Sequence, residues 1–353
     1  MNTTMMPVIE SGFEALPSCL GMSGIQGKRC MIVADENTAP LFAEKAREKL
    51  QQAFSEVPVY VLPAGEEHKK LETLDGLFRE LIRLHFDRHD VIAALGGGVV
   101  GDMAGFAAAI YLRGIRVIQL PTTLLAQIDS SIGGKTAVDF DGYKNMVGAF
   151  HMPSLVYSNT AALATLPAEQ FTAGMGEVVK SALLADAEYF RFLEAHAAEI
   201  KAMDLGRMTE MIRRCARIKV GIVERDPLEK GERALLNLGH TIGHAVEKAK
   251  NFELLHGSCV ALGLIAASSI SQNRGLLKET DMERIRALLE AFGLPLSVSG
   301  LNAEEILSLT KSDKKMKAGR IRFVLLRSIG EAFCAEDVTD EELRSGICAI
   351  LRP

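Results

Sequence analysis

Two histidines four residues apart are the first feature of this sequence that could carry chemistry. They are His240 and His244, in the segment ERALLNLGHTIGHAVEKAK, which extends from Glu232 to Lys250. At about 100° per residue, a continuous helix would place Asn237, His240 and His244 on one face, opposite an apolar face. Two imidazoles with this spacing can bind one metal ion, although ordinary amphipathic helices show the same spacing.

Residues that could complete a metal site lie in two other segments. GMGEVVK contains Glu177 and Lys180, and LLHGS contains His256. A surface ion pair is the ordinary explanation of Glu177 and Lys180, but the small apolar residues around them favour a buried position. One carboxylate and two histidines form the ligand set of a catalytic zinc site with open positions. The spacing leaves two histidine pairs possible, His240 with His244 or His240 with His256.

A glycine-rich segment, VIAALGGGVVGD, lies between a predicted strand and a predicted helix. Gly96, Gly98 and Gly101 match the pattern GxGxxG, in which backbone N–H groups at the helix start can bind a phosphate. In dinucleotide-binding proteins this turn usually follows the first strand, whereas here it follows the third predicted strand. A tight turn before a helix of small residues is therefore the alternative. Asp35 or Glu66, in neighbouring loops, could hold ribose hydroxyls.

The segment PTTLLAQIDSSIGGKTAVDFDGYKNMVGAF combines hydroxyls, glycines and lysines between short apolar runs. Lysines beside hydroxyl groups suit a phosphorylated ligand, because each ammonium supplies a compact positive charge. A solvated loop is the alternative, but the segment is more apolar and richer in glycine than an ordinary surface loop. The polar residues are Thr122, Thr123, Asp129, Ser130, Ser131, Lys135, Lys144 and Asn145.

Two further cations, Lys219 and Arg233, lie in the run RIKVGIVERDPLEKGER. They could bind a substrate carboxylate, and the guanidinium could do so with two parallel contacts. A charged helix face is the alternative, and it is the stronger one for Lys219. A basic segment at residues 311–317 indicates either an anion or solvent.

The first half of the chain alternates predicted strands with predicted helices, which is typical of a parallel sheet covered on both faces. Ligands of such sheets bind at the carboxyl ends of the strands. Residues 1–25 are expected to form an edge element. The predicted strands are Cys30–Ala34, Val57–Leu62, Val91–Leu95 and Val117–Leu120, and the predicted helices are Pro40–Phe54, Leu71–Leu84 and Val100–Tyr111.

Helical periodicity dominates beyond about Thr165, with one short strand expected at Ile321–Leu326. We therefore predict a Rossmann-like, NAD-binding α/β domain at residues 1–168 and an all-α metal- and substrate-binding domain at residues 169–353. The helices predicted in the second domain are 173–185, 187–202, 207–224, 234–250, 257–274, 280–292 and 303–310.

The composition of the 353 residues, 48% of which are hydrophobic, is that of a globular protein long enough for two domains. A net charge of -5 gives no general attraction to nucleic acids or anionic membranes, so neither is an expected partner. The six cysteines form no CxxC pair, and neither a signal peptide nor a membrane-spanning run is expected. A cytoplasmic location is therefore predicted.

Seven motifs in a single order make the sequence similar to the 3-dehydroquinate synthase family of the sugar-phosphate cyclases. The similarity extends from about residue 30 to residue 335. The motifs are GGGVVGDMAGFAAAIYLRGI, QLPTTLLAQIDSSIGGKTAVD, KNMVGAF, GEVVKSALL, LNLGHTIGHAVE, LLHGS and DKKMKAGRIRFVLL.

This resemblance implies a homodimeric shikimate-pathway enzyme that uses NAD and one divalent metal ion, zinc or cobalt. The implied reaction converts 3-deoxy-D-arabino-heptulosonate 7-phosphate to 3-dehydroquinate and phosphate. It proceeds by transient oxidation with NAD, β-elimination of phosphate, re-reduction, ring opening and aldol closure. The fold implied is the one shared with glycerol dehydrogenases and iron-containing alcohol dehydrogenases.

The resemblance also implies roles for individual residues. It assigns the metal to Glu177, His240 and His256, and the substrate carboxylate to Lys219 and Arg233. The residues implied around nicotinamide and substrate are Asp129, Lys135, Lys144, Asn145, Lys180, Asn237 and His244. Those implied along NAD are Asp35, Glu66, Lys69, Gly98, Val99, Val100, Gly101, Asp102, Thr122, Thr123, Lys135, Lys144 and Thr165.

The phosphate of the substrate is assigned by the same resemblance to Lys314 or Lys315 and to Arg113 of a partner subunit. We further expect His244 to relay a proton to or from a metal-bound hydroxyl, because it lies on the polar face of the predicted helix. The alternatives are another cyclase, of the deoxyinosose or valiolone synthase type, and a metal-dependent NAD alcohol dehydrogenase. Lys219 and Arg233 favour a carboxylated substrate over the former.

Overall fold

The structure is a computed structural model that describes residues 6–229, 231–311, 316–317 and 320–352. The contacts between residues divide the chain into two units, Met1–Leu166 and Pro167–Pro353. Among the helices described, none is both long and apolar enough to cross a lipid bilayer.

A seven-stranded sheet organises the first unit, and all its neighbouring strands are parallel. Its strands are β1 (Val8–Glu10), β2 (Gly27–Asp35), β3 (Phe54–Glu56), β4 (Val59–Leu62), β5 (Val91–Gly96), β6 (Arg116–Pro121) and β9 (Leu155–Asn159). Their order is β1–β9–β6–β5–β2, with β3 and β4 pairing successive parts of β2. The expected edge element is therefore confirmed as β1.

Helices cover both faces of this sheet, which explains the continuous apolar strands. Cys30, Ile32 and Ala34 of β2 pack into one core cluster, and the alternate residues Met31 and Val33 pack into the other. The predicted Rossmann-like fold is thus confirmed. The helices are α1 (Leu16–Met22), α2 (Glu44–Leu50), α3 (Leu74–Arg83) and α4 (Gly98–Ile110).

Several details of the first unit differ from the sequence prediction. The helix predicted at Pro40–Phe54 is shorter, since Phe54 already begins β3. Because the edge element was not predicted to be a strand and β3 was not predicted at all, the glycine-rich segment follows the fifth strand in chain order rather than the third. β9, a buried strand between β1 and β6, was also missed.

An antiparallel hairpin, β7 (Lys135–Phe140) and β8 (Tyr143–Phe150), forms within the segment whose alternative was a solvated loop. Asp141 and Gly142 at its tip both have positive φ, 51° and 75°. An Asp-Gly pair with these angles is typical of a tight two-residue hairpin turn. The dipeptide was therefore a hairpin signal in the sequence that the prediction overlooked.

The second unit is mainly helical, as predicted. Its helices are α5 (Ala168–Ala185), α6 (Ala187–Lys201), α7 (Leu205–Arg225), α8 (His240–Ala249), α9 (His256–Asn273), α10 (Glu279–Ala291), α11 (Ala303–Lys311) and α12 (Asp340–Cys348). The strands are β10 (Val298–Ser299), β11 (Met316–Lys317), β12 (Arg320–Ile321), β13 (Phe323–Ser328), β14 (Glu331–Ala335) and β15 (Leu351–Arg352).

The strand predicted at Ile321–Leu326 is confirmed for most of its length by β13, but the expectation of a single strand in this unit is wrong. β12 ends at Ile321, and β13 pairs antiparallel with β14 to form a hairpin. The tight turn at Ile329–Gly330, where Gly330 has a φ of 88°, lets the chain reverse direction. Helix α12 was not predicted, although Thr339 and Glu342 form a capping box at its start.

Candidate functional site

One carboxylate and two imidazoles converge in the second unit. The Oε1 atom of Glu177 lies 3.4 Å from Nε2 of His240 and 3.3 Å from Nε2 of His256. Glu177 is almost fully buried, at 1% exposure, in the middle of α5. These three atoms are close enough to share one divalent cation, and oxygen and imidazole nitrogen are ligands that zinc accepts.

Close backbone contacts bring the three helices together. A Cβ atom on Gly257, the second residue of α9, would lie 1.7 Å from the carbonyl oxygen of Ala173 in α5. A Cβ atom on Gly263 of α9 would lie 1.8 Å from the carbonyl oxygen of Gly239, just before α8. Only glycine permits such approaches. His256 and Glu177 are therefore brought together by backbone contact next to the ligands themselves.

The prediction of one helix containing Asn237, His240 and His244 is wrong. Glu232–Asn237 form a 3₁₀ helix, and α8 begins only at His240. Between them Gly239 adopts a left-handed conformation with a φ of 77°, which an α-helix does not contain. Asn237 therefore does not lie on the helical face of the histidines, and its Nδ2 donates to Oε1 of Glu229 at 3.3 Å.

A second layer of hydrogen bonds orients both imidazoles. Nδ1 of His240 lies 3.1 Å from the carbonyl oxygen of Leu238, so this nitrogen carries the proton and Nε2 keeps its lone pair. Nδ1 of His256 lies 3.3 Å from Oε2 of Glu247. The sequence analysis missed Glu247. Its signal was a spacing of seven residues after His240, which places both on one face of α8.

His244 lies beside the same pair of imidazoles. Its ring centroid is 5.1 Å from that of His240 and 5.6 Å from that of His256. Ligand atoms of the three histidines all lie within 4.8 Å of one another, so they could also hold a metal ion. The geometry thus offers two ligand sets, which share His240 and His256 and differ in whether Glu177 or His244 is the third ligand.

Burial and neighbouring charges shift the pKa values of the ionisable groups in this cluster. Burial alone would raise the pKa of Glu177, but Lys180 and His240 lower it well below its usual range, and Lys180 forms an ion pair with it. Burial and the positive charge of Lys180 lower the pKa of His240. Burial would also lower the pKa of His256, but Glu177 and Glu247 raise it to about 9. His256 must therefore lose a proton when it binds a metal ion.

Two buried cations lie in the same unit. Lys219, on α7, is 8% exposed, and Arg233, in the 3₁₀ helix, is 2% exposed. Nη1 of Arg233 donates to the carbonyl oxygen of Pro227 at 2.7 Å, and its backbone N–H donates to Asp226. Buried lysine and arginine are rare unless an anion compensates their charge. The carboxylate-binding role of both residues stays a prediction.

Several predicted nucleotide-binding residues of the first unit lie close together at the carboxyl ends of its strands. The backbone N–H of Thr122 donates to the carbonyl oxygen of Gly96 at 2.9 Å, which places the loop after β6 beside the glycine turn after β5. Asp35 ends β2 and accepts from Thr38, whose hydroxyl donates to the carbonyl oxygen of Leu95 at 3.2 Å. The first turn of α4, Gly98–Gly101, begins at this edge.

Lys69 connects three predicted site residues. It is 4% exposed, and its Nζ atom lies 2.6 Å from Oδ2 of Asp102 and 2.6 Å from Oδ1 of Asn145. Oε1 of Glu66 lies farther away, at 3.9 Å. Asn145 has a φ of 53°, and its backbone N–H donates to Asp139 at 2.7 Å. The structure thus ties the β7–β8 hairpin to the loop after β4 and to α4.

The hydroxyl of Thr122 has no hydrogen-bond partner within the described part of the chain, although it is buried. A buried polar atom without a partner is costly, so this position fits a bound ligand. Two other predicted hydroxyls are already used locally. Thr123 accepts from the backbone N–H of Ala126, and Thr165 donates to the carbonyl oxygen of Ala162.

The remaining predicted residues are more dispersed. Asp129 lies in a π-helical turn, Ala126–Ser130, after β6, while Lys135 and Lys144 are exposed on the hairpin. Arg113 is exposed after the carboxyl end of α4, at the opposite edge of the sheet from the glycine turn. Lys314 and Lys315 lie outside the described residues.

The fold resembles two solved sugar-phosphate cyclases. The 2-epi-5-epi-valiolone synthase of Streptomyces hygroscopicus subsp. jinggangensis 5008, solved with NAD+ and Zn2+ bound, is 29% identical with a TM-score of 0.88. The match covers 97% of this chain and 95% of that one. A 2-deoxy-scyllo-inosose synthase complexed with carbaglucose-6-phosphate, NAD+ and Co2+ is 27% identical with a TM-score of 0.86, over 96% and 95% of the two chains. These similarities define a sugar-phosphate cyclase fold.

The sequence comparisons narrow this class to one family. Models described as 3-dehydroquinate synthase N-terminal and C-terminal match residues 59–173 and 174–316. The 3-dehydroquinate synthase of Shewanella piezotolerans is 45% identical, over 98% of this chain and 100% of that relative. The chain belongs to the 3-dehydroquinate synthase family, as the sequence motifs predicted.

Replacing Gly257 with alanine tests the contact that brings α9 to α5. The added Cβ would force the helices apart and separate His256 from Glu177. We expect a loss of about 1–3 kcal/mol in the free energy of unfolding and weaker Zn2+ binding, measured by urea unfolding and by zinc titration. Gly206→Ala is the control, because its Cβ would meet only Asp204 Oδ1 at 3.4 Å. Equal stability and zinc affinity in both variants would contradict this account.

Proposed function

We propose that this protein converts 3-deoxy-D-arabino-heptulosonate 7-phosphate to 3-dehydroquinate and phosphate, as a carbon–oxygen lyase of the shikimate pathway. The observation that carries this proposal is the convergence of Glu177 with His240 and His256 in a member of the 3-dehydroquinate synthase family. The identity of 45% to a 3-dehydroquinate synthase exceeds the 27–29% to cyclases acting on other sugars.

NAD and one divalent metal ion, zinc or cobalt, are the cofactors of the proposed reaction. The two solved cyclases, with NAD+ and either Zn2+ or Co2+, support this assignment. The donor set of one carboxylate and two imidazoles fits the ion, and the unpartnered Thr122 hydroxyl fits a nucleotide at the sheet edge. When bound, NAD would exchange a hydride with the substrate, and the metal ion would acidify its hydroxyl groups.

In the second unit, the proposed roles follow from charge and position. Glu177, His240 and His256 would hold the metal ion. Glu177 is preferred to His244 as third ligand because its carboxylate offsets part of the charge of a divalent cation, whereas three neutral imidazoles offset none. His244, beside the ligands, would accept or release the proton of a substrate hydroxyl. The remaining residues proposed to contact substrate are Lys180, Lys219, Arg233 and Asn237.

In the first unit, the proposed NAD site lies at the carboxyl edge of the sheet. Backbone N–H groups at the start of α4 would bind the pyrophosphate, because unpaired helix N–H groups attract anions. Lys69, held by Asp102 and Asn145, would place an ammonium group at this edge as a hydrogen-bond donor. The other residues proposed along NAD and the reacting groups are Asp35, Glu66, Val99, Val100, Thr122, Thr123, Asp129, Lys135, Lys144 and Thr165.

A direct assay tests the reaction. We expect release of one phosphate per heptulosonate phosphate consumed, with no accumulation of NADH because the hydride returns to the product. Removing the metal ion with a chelator should abolish turnover, and adding Zn2+ or Co2+ should restore it. Phosphate release and absorbance at the NADH wavelength are followed together.

The same assay separates the alternative functions. Stoichiometric NADH formation would indicate an alcohol dehydrogenase. Phosphate release only from a sugar phosphate without a carboxylate would indicate another type of cyclase. Unimpaired turnover of metal-free protein would overturn the proposed role of the metal cluster.

The Thr122 hydroxyl offers a sharper test of the NAD site. Thr122→Val should leave stability unchanged or raise it, because the hydroxyl has no hydrogen-bond partner among the residues that the structure describes. It should weaken NAD binding about five- to tenfold, the value of one hydrogen bond. Thr160→Val is the matched control: its hydroxyl donates to the carbonyl oxygen of Glu10 at 3.1 Å, so stability should fall while NAD affinity stays constant. Calorimetric NAD titration and thermal unfolding measure both effects; unchanged NAD affinity in Thr122→Val would contradict the placement.

We also propose a homodimer located in the cytoplasm, with Arg113 of one subunit reaching the phosphate site of the other. Exposed apolar side chains of the first unit, Leu112, Phe140 and Phe150 among them, support a protein partner there.

Sedimentation velocity tests the dimer. The unmodified protein should sediment at twice the mass of one chain, and Phe140→Ser with Phe150→Ser should shift it towards the monomer because apolar contact area is lost. Phe252→Ser, which changes an equally exposed phenylalanine of the second unit, is the control. A monomeric unmodified protein would refute the proposal.

A further inference from the structure

Glu247 is a buried carboxylate to which neither the motifs nor the assigned reaction gives a role. It lies on α8 and is only 5% exposed, and its Oε2 atom is 3.3 Å from Nδ1 of His256 on α9. The other ring nitrogen of His256, Nε2, lies 3.3 Å from Glu177 Oε1. The imidazole of His256 is therefore placed between two carboxylates, of which only Glu177 lies on the side of the proposed metal ion.

The two histidine ligands are oriented by different kinds of acceptor. Nδ1 of His240 faces the backbone carbonyl of Leu238, which is fixed by the chain and neutral. Nδ1 of His256 faces a side-chain carboxylate. A carboxylate acceptor polarises the imidazole more strongly than a carbonyl does, and it makes Nε2 a better electron donor to a metal. Because α9 begins at His256, no preceding helical turn holds this ring.

We propose that Glu247 is a positioning residue of the metal site, which keeps the proton of His256 on Nδ1 and directs the Nε2 lone pair towards the cation. This inference rests on the metal site of the proposed function. Helix α8 then contributes twice, since it supplies His240 as a ligand and Glu247 as the support of a ligand on α9. Loss of the carboxylate allows the ring to rotate or to carry its proton on Nε2, where it blocks the metal.

The test measures Zn2+ affinity of the metal-free full-length protein by competition with a chromophoric chelator. Glu247→Ala should weaken zinc binding about 10- to 100-fold, the usual effect of removing such a partner. Glu247→Gln keeps an acceptor oxygen of nearly the same shape, so it should retain most of the affinity and lie between the other two proteins. Glu253→Gln is the matched control, because it removes one negative charge from an exposed position between α8 and α9 and should leave the affinity unchanged.

A spectroscopic measurement separates positioning from general stability. In the zinc-loaded protein with ¹⁵N-labelled histidine, the His256 signal should show a protonated Nδ1 and a metal-bound Nε2. In Glu247→Ala at saturating zinc, the Nδ1 signal should broaden or shift as its acceptor is lost, while the His240 signal should stay in place because Leu238 still holds it.

Equal zinc affinity of the unmodified protein, Glu247→Gln and Glu247→Ala would overturn the inference. So would a loss in Glu253→Gln as large as that in Glu247→Ala, since the effect would then come from net charge alone. Failure of the unmodified protein to bind zinc or cobalt would instead overturn the metal site of the proposed function.

Discussion

The contact of backbone with backbone among α5, α8 and α9 is the constraint on which the rest of the second unit depends. A ligand can reach a shared ion only if its helix axis lies close to the others, and ordinary side chains would hold the helices farther apart. Gly257 and Gly239, each adjacent to a histidine ligand, have no side chain and therefore allow the helices to approach closely. The buried charge of Glu177 is tolerated because Lys180 and two imidazoles surround it. The close packing of the helices and the compensation of the buried charge therefore occur at the same place in the structure.

The first unit also brings polar groups close together, but through a different kind of contact. Its strands are parallel, so their carboxyl ends all lie at one edge, and each loop there needs only a few residues to reach its neighbour. The loop after β6 meets the glycine turn through Thr122 and Gly96, and Lys69 gathers Asp102 and Asn145. Hydrogen bonds between loops, rather than glycine contacts between helices, set this arrangement.

The sequence predictions were correct where the spacing of apolar residues directly indicates which residues are buried. The strands β2, β5 and β6 are continuous apolar runs because both faces of the sheet are covered, and α5, α7 and α9 carry long helical patterns. They failed where one residue overrides the pattern. Gly239 interrupts an otherwise helical sequence before His240, and the Asp141–Gly142 turn converts a polar segment into a hairpin. Glu247 was missed because its spacing from His240 shows only that both lie on one face of α8. Its contact with His256 joins two helices, and spacing within one helix does not reveal it.

The separation of Glu177 and His256 along the chain has a consequence for the lifetime of the folded state. The two residues are 79 positions apart, and α6, α7 and α8 lie between them. An ion held by both would close this stretch into a loop, much as a disulfide does, and would reduce the conformational freedom gained on unfolding. Occupancy by the ion would thus govern how long the helical unit resists proteases, even in the absence of turnover.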